Sequence, residues 1–366
     1  MHSKEQPLFD LADATDLRGY LEHIFRFETA YTKVVKEAMS YQFAPEHASI
    51  SHRGLLFEAV MNPGRYNYVK ESLRKLAESK RKHALNPSDQ RPVEAVGPGP
   101  ARAKGSLLPH MPPPGKDACP FDNLGISPLA VARLASLGKN YFLVANSSPW
   151  GYHHTMLVTM DPEPQTMTEV ELRASLRLIE RLGPDYEGIF TGVGAGASIY
   201  HFHLQVHRGA AVLWRNLDQG RVQLRQFYAS GGVLASTGEG WPAAFFVFEA
   251  SDAKHLPTVV TRMLSTLVQG ENDYPCNISF RVHDGKTRLV LFPRLLGSEK
   301  PTNVNSFPES WGRFAFREMG GDILLLTPEG YEASRYAPEG LYDAIRQMSI
   351  SRDEMNNLIR DFQKIT

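Results

Sequence analysis

Side chains able to do chemistry recur at alternate positions in the middle of the chain: His201, His203, Gln205 and His207. Apolar side chains fill the positions between them: Phe202, Leu204 and Val206. Because side chains alternate between the two faces of a β-strand, this run predicts a strand with its polar set on one face. Neutral imidazole is both a nucleophile and a common metal ligand. The run therefore indicates catalysis or a metal centre, and a polar sheet face without chemistry is the third interpretation.

A glycine-rich segment leads directly into this run, with Gly192, Gly194, Gly196, Ala197 and Ser198 among its residues. Glycine allows the backbone to turn freely and to approach a ligand closely. Successive backbone N–H groups in such a loop can form an anion-binding concavity, to which a serine hydroxyl adds a donor. A phosphate cradle that leads into a row of imidazoles favours phosphoryl or nucleotidyl transfer through a histidine.

The spacing Ser198-x-x-His201-x-His203-x-Gln205 resembles the signature of the transferase branch of the histidine-triad superfamily. That branch includes galactose-1-phosphate uridylyltransferase, diadenosine tetraphosphate phosphorylase and the GDP-hexose phosphorylases. The resemblance implies that His203 attacks an α-phosphorus and forms a nucleotidyl-histidine. It also implies that His201 orients His203 or holds the loop, while Ser198 and Gln205 stabilise charge on the phosphoryl oxygens.

Gln205 bears on the acceptor, because the hydrolase branch of this superfamily carries a third histidine at that position. A glutamine amide can donate a hydrogen bond but cannot act as an acid for water. The expected activity is therefore a nucleotidyltransferase or phosphorylase acting on a nucleoside diphosphate sugar or a dinucleoside polyphosphate. Its acceptor would be phosphate or a phosphorylated compound. A dinucleotide hydrolase and a non-catalytic nucleotide sensor are the alternatives.

A predicted hairpin precedes the histidine run, with strand-like segments at 141–145 and 155–160 and a turn that begins at Asn146. Its Asn-x-x-Pro…His-x-x-Leu-Val pattern resembles the hairpin that lines the nucleotide pocket in the same superfamily. Alternatively, Asn146 serves only the turn and a histidine caps the hairpin edge. The residues expected to contact the nucleotide and its phosphates are Asn146, His154, Gly194, Gly196, Ala197 and His207.

Related transferases often hold zinc with a Cys-x-x-Cys pair ahead of the hairpin, sometimes together with the first histidine of the motif. Here Cys119 is followed three positions later by Asp122. One cysteine and one aspartate fall short of a zinc-site signature. We therefore expect a buried structural cysteine and no required cofactor, with zinc held by Cys119, Asp122 and His201 as the alternative.

The predicted fold is α+β, with two duplicated histidine-triad-like halves whose antiparallel sheets are flanked by helices. The boundaries are a helical N-terminal region over 1–85 with a helix at 66–85, a Pro/Gly-rich connection over 86–118, a catalytic half over 119–215, and a degenerate second half over 216–366 that ends in a helix. A capping box at Thr168–Glu171 and a stop at Gly183 predict a helix over about 169–182, and a capping box at Ser351–Glu354 predicts the start of the last helix. The second half repeats a strand at 243–249, a helix at 254–268 and a hairpin around Asp284-Gly285, but it has no His-x-His. Arg281, Arg288 and Arg294 in this half are predicted to be exposed phosphate contacts.

Composition excludes several classes of protein. The 366 residues carry a net charge of zero, which argues against a dedicated nucleic-acid binder, and two cysteines provide no disulfide framework. No apolar run approaches the length of a membrane span, and the N-terminus lacks the apolar segment of a signal peptide. We expect a cytoplasmic monomer or homodimer whose partners are a nucleotide and phosphate or a phosphorylated acceptor.

The departure at Asp122 predicts that activity survives metal chelation. EDTA-treated protein should turn over nucleotide at the rate of untreated protein, and Cys119→Ser should leave that rate unchanged. Elemental analysis provides the check. Stoichiometric zinc that is lost together with activity in Cys119→Ser would contradict this expectation.

Overall fold

The computed structural model describes residues 17–26, 45–62, 121, 130–147, 149–197, 199–269, 274–295, 314–325, 328–336 and 338–365. Several sequence predictions lie outside the described residues: the helix at 66–85, the connection at 86–118, Cys119, Asp122 and Ser198.

The helices are α1 (Leu17–Arg26), α2 (Glu169–Leu182), α3 (Val212–Asp218), α4 (Leu256–Gln269), α5 (Phe316–Met319), α6 (Pro328–Tyr336), α7 (Pro338–Gln347) and α8 (Arg352–Lys364). The strands are β1 (Glu46–His52), β2 (Leu55–Met61), β3 (Ala130–Arg133), β4 (Tyr141–Ala145), β5 (Tyr152–Thr159), β6 (Tyr186–Thr191), β7 (His203–Arg208), β8 (Gln223–Ser230), β9 (Val233–Glu239), β10 (Phe246–Ala250), β11 (Cys276–His283), β12 (Lys286–Pro293) and β13 (Asp322–Leu325).

One sheet of ten strands runs through the molecule in the order β3-β4-β5-β7-β6-β11-β12-β10-β9-β8. Its first five strands form a three-stranded meander, a helix (α2) and a hairpin, and its last five repeat that plan around α4. The halves join where β6 pairs antiparallel with β11, from Thr191 opposite Asn277 to Glu187 opposite Arg281. The predicted fold class, α+β with antiparallel sheets flanked by helices, is confirmed, and the matching strand orders support the duplication.

The two faces of the large sheet are covered differently. Helices α2 and α4 lie on one face, over a core that contains Phe202, Leu204 and Val206, all fully buried. The opposite face carries the histidine run, with a small apolar cluster around Phe121 and a larger core around Trp214. Apolar side chains at even positions of the run thus face the helices, as the alternation predicts.

The larger core on the histidine face is roofed by a second sheet, in which the hairpin β1–β2 is joined by β13 parallel to β2. The hairpin lies in the N-terminal region, where the sequence indicated only helices. Its turn uses Arg53 and Gly54 with positive φ values of 52° and 78°. The parallel pairing brings the segment 314–325 beside the centre of the large sheet.

Local signals account for several element boundaries. α2 begins after Thr168 and ends at Gly183, whose backbone N–H caps Ile179 O. The Asp284-Gly285 turn has φ values of 48° and 71°, as a tight hairpin turn requires. The Ser351–Glu354 capping box is confirmed at α8, where each side chain accepts from the other residue's backbone N–H.

Other predictions from the sequence need correction. Thr168 forms no cap, because its hydroxyl donates to the Glu171 carboxylate instead of accepting from the backbone. Arg294 is fully buried and Arg288 is 7% exposed, so neither is the exposed phosphate contact predicted for it. Arg281 and Arg288 both donate to Asp218, at 2.7 and 2.6 Å. No helix among the described residues is long and apolar enough to cross a membrane.

The central strand β11 predicts where a truncation is most damaging. Phe280 is fully buried in the core beneath α2 and α4, so Phe280→Ala should lower the free energy of unfolding by about 3–5 kcal/mol. Leu234→Ala on β9, where the side chain is 40% exposed, should cost far less. Urea unfolding of both variants measures the difference, and equal losses would contradict this placement of the core.

Candidate active site

His203 opens β7 and is almost fully buried, with 5% of its surface exposed. Its Nδ1 lies 2.9 Å from the backbone oxygen of His201 and donates to it. Burial lowers the pKa of His203 to about 4, so the ring is neutral at physiological pH. With the hydrogen on Nδ1, the Nε2 lone pair is available, and no described residue hydrogen-bonds it. The geometry therefore provides a neutral imidazole with one nucleophilic nitrogen.

His201 precedes the strand and is held differently. Its Nε2 lies 2.8 Å from the backbone oxygen of Thr159 and donates to it, with the Thr159 hydroxyl at 3.1 Å. The Phe121 ring packs edge-on against His201 and tilted against His203, at centroid distances of 5.5 and 5.8 Å. His201 thus supplies a fixed backbone carbonyl that accepts a hydrogen bond from the His203 ring.

A glutamine that the sequence analysis did not single out lies between β6 and β7. Gln165 is 3% exposed, and its Nε2 donates to Thr191 O at 2.9 Å and to His203 O at 3.0 Å. Its Oε1 accepts from the backbone N–H of His203 at 2.7 Å. One side-chain amide therefore connects the backbone of His203 to Thr191, the residue from which the glycine loop departs.

The glycine loop depends on the absence of side chains at two of its positions. A Cβ on Gly192 would come within 2.7 Å of Cys276 O, to which the Gly192 N–H donates at 2.9 Å. Gly196 has a φ of 110°, and a Cβ there would lie 3.1 Å from Ala315. Gly194 also has a positive φ, of 78°. Glycine is therefore required by close approach at one end of the loop and by backbone conformation further along it.

The second half of the chain anchors this loop. Asn277 on β11 donates to Ala195 O at 2.9 Å, and the buried Arg294 reaches the same oxygen at 3.5 Å. Arg294 also donates to Asn277 Oδ1 at 2.6 Å and to Phe314 O at 3.0 Å. These bonds fix the carbonyl side of the loop.

The backbone N–H groups of the loop make fewer hydrogen bonds than the Ala195 carbonyl group. The N–H groups of Ala195 and Ala197 both donate back to Gly192 O, at 3.0 and 3.3 Å. Those of Val193, Gly194 and Gly196 have no hydrogen-bond acceptor among the described residues. Amides of this kind are what an anion-binding loop offers.

His207 lies four residues beyond His203, about 13 Å along an extended strand. Its Nε2 lies 3.1 Å from Glu187 Oε2, and burial lowers its pKa despite this carboxylate. Arg317 NH1 is 3.4 Å from the same nitrogen. The centroids of the Trp150 and His207 rings are 4.8 Å apart. The structure thus places His207 in a buried polar cluster separate from His203.

Glu187 is the centre of that cluster and is fully buried. Burial by itself raises the pKa of its carboxyl, but hydrogen bonds from His207 and Ser279 outweigh this and hold the pKa below its usual range. Trp214 Nε1 and the Ala211 N–H also donate to it, at 2.9 and 2.8 Å. In the sequence, only the presence of a carboxylate, Glu187, in a strand-like segment could have indicated this polar cluster.

Asn146 and His154 contact each other at the hairpin between β4 and β5. The Trp150 N–H donates to His154 Nδ1 at 3.2 Å, and the amide nitrogen of Asn146 lies 3.2 Å from His154 Nε2. His154 is 1% exposed. Asn146 also approaches Met156, which is paired in register with Gln205. The predicted pocket residues Asn146 and His154 therefore lie beside β7, while the side chain of Gln205 has no hydrogen-bond partner among the described residues.

Within the described residues, no group of three or more His, Cys, Asp or Glu side chains is placed to hold a metal ion. The Nε2 of His201 already donates its hydrogen to a carbonyl, which occupies that nitrogen. Cys119 and Asp122 lie outside this part of the chain.

Comparison with known proteins identifies the fold. No family model and no curated protein matches the sequence. Among solved structures, the crystal structure of yeast Ap4A phosphorylase Apa2 matches with a TM-score of 0.60 at 16% identity, covering 92% of this chain and 97% of that one. The chain shares the fold of that enzyme.

The same yeast enzyme matches in two ligand complexes. Its complex with AMP gives a TM-score of 0.58 at 16% identity over 92% of this chain and 96% of that one. Its complex with Ap4A gives 0.54 at 14% identity over 88% and 98%. Both chains are covered almost end to end, so the likeness extends over both halves of the large sheet.

The buried neutral His203 predicts a pH dependence of stability. An unfolded histidine has a pKa of about 6.5, and His203 in the fold has one of about 4, so the unfolded chain binds more protons between these values. Stability should therefore be lost as pH falls through this window, by roughly 3 kcal/mol at pH 4 relative to pH 8. Urea unfolding of wild type and His203→Phe at both pH values tests this. An identical pH dependence of the two proteins would contradict it.

Proposed function

We propose that the chain is a nucleotidyltransferase of the phosphorylase type that works through a covalent nucleotidyl-His203. Its substrate is a dinucleoside polyphosphate or a nucleoside diphosphate sugar, and its acceptor is phosphate or a phosphorylated compound. One observation carries the proposal: His203 holds its hydrogen on Nδ1 through His201 O, which leaves Nε2 as a neutral nucleophile.

The contacts around His203 support a two-step displacement. In the first step Nε2 attacks the α-phosphorus, an N–P bond forms, and the bond from phosphorus to the leaving oxygen breaks. Nδ1 keeps its hydrogen and its bond to His201 O, which stabilises the positive charge that develops on the ring. In the second step an acceptor oxygen attacks the same phosphorus, the N–P bond breaks, and neutral His203 is restored.

The glycine loop supports the phosphate-binding part of the proposal. The N–H groups of Val193, Gly194 and Gly196 are the donors proposed for the phosphoryl oxygens, with Ser198 and Gln205 as further donors. Ala195 O is turned away from them by Asn277 and Arg294. Because hydrogen bonds at Gly192 O and Ala195 O hold the loop before substrate arrives, its N–H groups need no rearrangement as charge develops on the oxygens.

The choice of acceptor rests on the polar groups near the nucleophile. Gln205 cannot activate water as an acid or base. His207, the remaining histidine of the run, donates to Glu187 and lies about 13 Å from His203 along the strand. Neither residue favours hydrolysis, so the intermediate is proposed to await a phosphorylated acceptor.

The structural neighbours determine which compounds to test first. The yeast enzyme with the same fold is an Ap4A phosphorylase, and its structures include complexes with AMP and with Ap4A. Ap4A is therefore the first candidate substrate, and nucleoside diphosphate sugars are the second set.

Intact-mass spectrometry tests the covalent step. Wild-type protein incubated with substrate and no acceptor should gain one nucleoside monophosphate, in an acid-labile and base-stable bond typical of a phosphoramidate. Addition of phosphate should remove the adduct and release a nucleoside diphosphate. His203→Ala should form no adduct and lose turnover altogether, because neighbouring groups cannot replace a missing nucleophile.

His255→Ala is the control, since it removes an exposed imidazole outside the histidine run and should still form the adduct. An adduct of equal yield on His203→Ala would overturn the assignment, and peptide mapping would then locate the modified residue. A wild-type rate that is unchanged when every acceptor except water is omitted would favour the hydrolase. Nucleotide binding without any adduct or turnover would favour the sensor.

A further inference from the structure

The pairing of β6 with β7 stops two residues short of the nucleophile. The ladder runs from Tyr186 opposite Arg208 to Ile189 opposite Gln205. If the same register continued, Phe190 would lie opposite Leu204 and Thr191 opposite His203. Neither pair is formed. On its other side, β7 stays paired with β5 as far as Val158 opposite His203. The gap therefore lies only on the side from which the glycine loop departs.

The side-chain amide of Gln165 fills this gap. Its Nε2 donates to the backbone oxygens of Thr191 and His203, and its Oε1 accepts from the His203 N–H. Three hydrogen bonds of 2.7 to 3.0 Å thus replace the missing strand partner. The Gln165 amide lies between β6 and β7 at this point. The backbone N–H and C=O of His203 both keep a hydrogen-bond partner.

The backbone on either side of Gln165 is fixed as well. The Gln165 N–H donates to Tyr200 O at 2.8 Å, and the Phe202 N–H donates to Glu163 O at 2.8 Å. Pro164 forms an antiparallel bridge with His201. The segment 163–165 is therefore held against 200–202 by an isolated antiparallel bridge, which leaves the amide little freedom to move.

We propose that Gln165 is a positioning residue for nucleotidyl transfer, and that its amide sets the spacing between His203 and the glycine loop. The inference rests on the proposed function. Gln165 does not touch the reacting atoms. It holds the backbone of the nucleophile on one side and the last residue before the loop on the other, and so determines how far the attacking nitrogen lies from the loop's phosphate donors.

Gln165→Leu tests the spacing, because leucine fills much of the same volume but forms none of the three hydrogen bonds. The rate constant of adduct formation at saturating substrate should fall on the order of 100-fold, as expected when a reacting group is displaced by about 1 Å. The substrate concentration that gives half-maximal labelling should stay close to that of wild type, because the donors of the loop remain. Thermal unfolding confirms that the variant is folded at the assay temperature.

Gln165→Glu provides a second readout that does not depend on the first variant. A protonated carboxylic acid can donate to one of the two carbonyl oxygens, whereas a carboxylate repels both. Labelling by this variant relative to wild type should therefore rise as the pH is lowered from 8 to 6. If Gln165→Leu does not fold, this pH dependence decides the question alone.

Gln363→Leu is the control, since exposed Gln363 also donates to a backbone oxygen, that of Phe227 at 3.2 Å, and should label at the wild-type rate. Wild-type rates in a folded Gln165→Leu variant, or a pH-independent ratio for Gln165→Glu, would overturn the positioning role. Absence of any adduct on wild-type protein would instead remove the proposed function, so the two failures are distinguishable.

Discussion

A fully buried carboxylate, Glu187, determines how the centre of this molecule is built. Removing an ionised carboxylate from water carries a large cost unless hydrogen bonds replace its hydration. Here four donors from three elements converge on it: the His207 ring on β7, Ser279 on β11, and Trp214 together with the Ala211 N–H at the start of α3. The two halves of the sheet meet around this group. Strand register, the placement of α3 and the orientation of His207 all follow from keeping it satisfied.

This arrangement separates two tasks within one short strand. His207 at the far end of β7 belongs to the structural cluster, and His203 at the near end keeps one ring nitrogen available. The two imidazoles lie on the same face of the strand, as the period-two pattern predicts, but their environments differ. Burial lowers the pKa of both rings. The backbone of His203 is linked through Gln165 to Thr191, the residue before the glycine loop, whereas the ring of His207 is held by Glu187.

Much of the fold could be predicted from sequence because its signals are local. Alternation in β7, the Asp284-Gly285 turn, the boundaries of α2 and the Ser351 cap each depend on a few neighbouring residues. The strands β8 and β9 were missed because β8 is a largely exposed edge strand with no apolar alternation. The Gly231-Gly232 pair between them reads equally well as a loop.

The sequence predicted the candidate site only in part. The motif residues could be found from their spacing, but the residues that hydrogen-bond to them come from distant parts of the chain. Gln165 lies 38 residues from His203, and Asn277 lies 82 residues from Ala195. A glutamine that follows a proline and an asparagine at a strand start carry no local signal of such contacts. Arg294 was predicted to face solvent, although its neighbours on the folded chain bury it completely.

The bonds from Asn277 and Arg294 to Ala195 O have a consequence for the duplicated architecture. The half without a His-x-His supplies the anchor for the loop of the half that has one. Neither half is therefore self-sufficient, because the loop of the first half takes its geometry from contacts with the second. Halves produced as separate polypeptides would regain the loop geometry only after reassembling through β6 and β11.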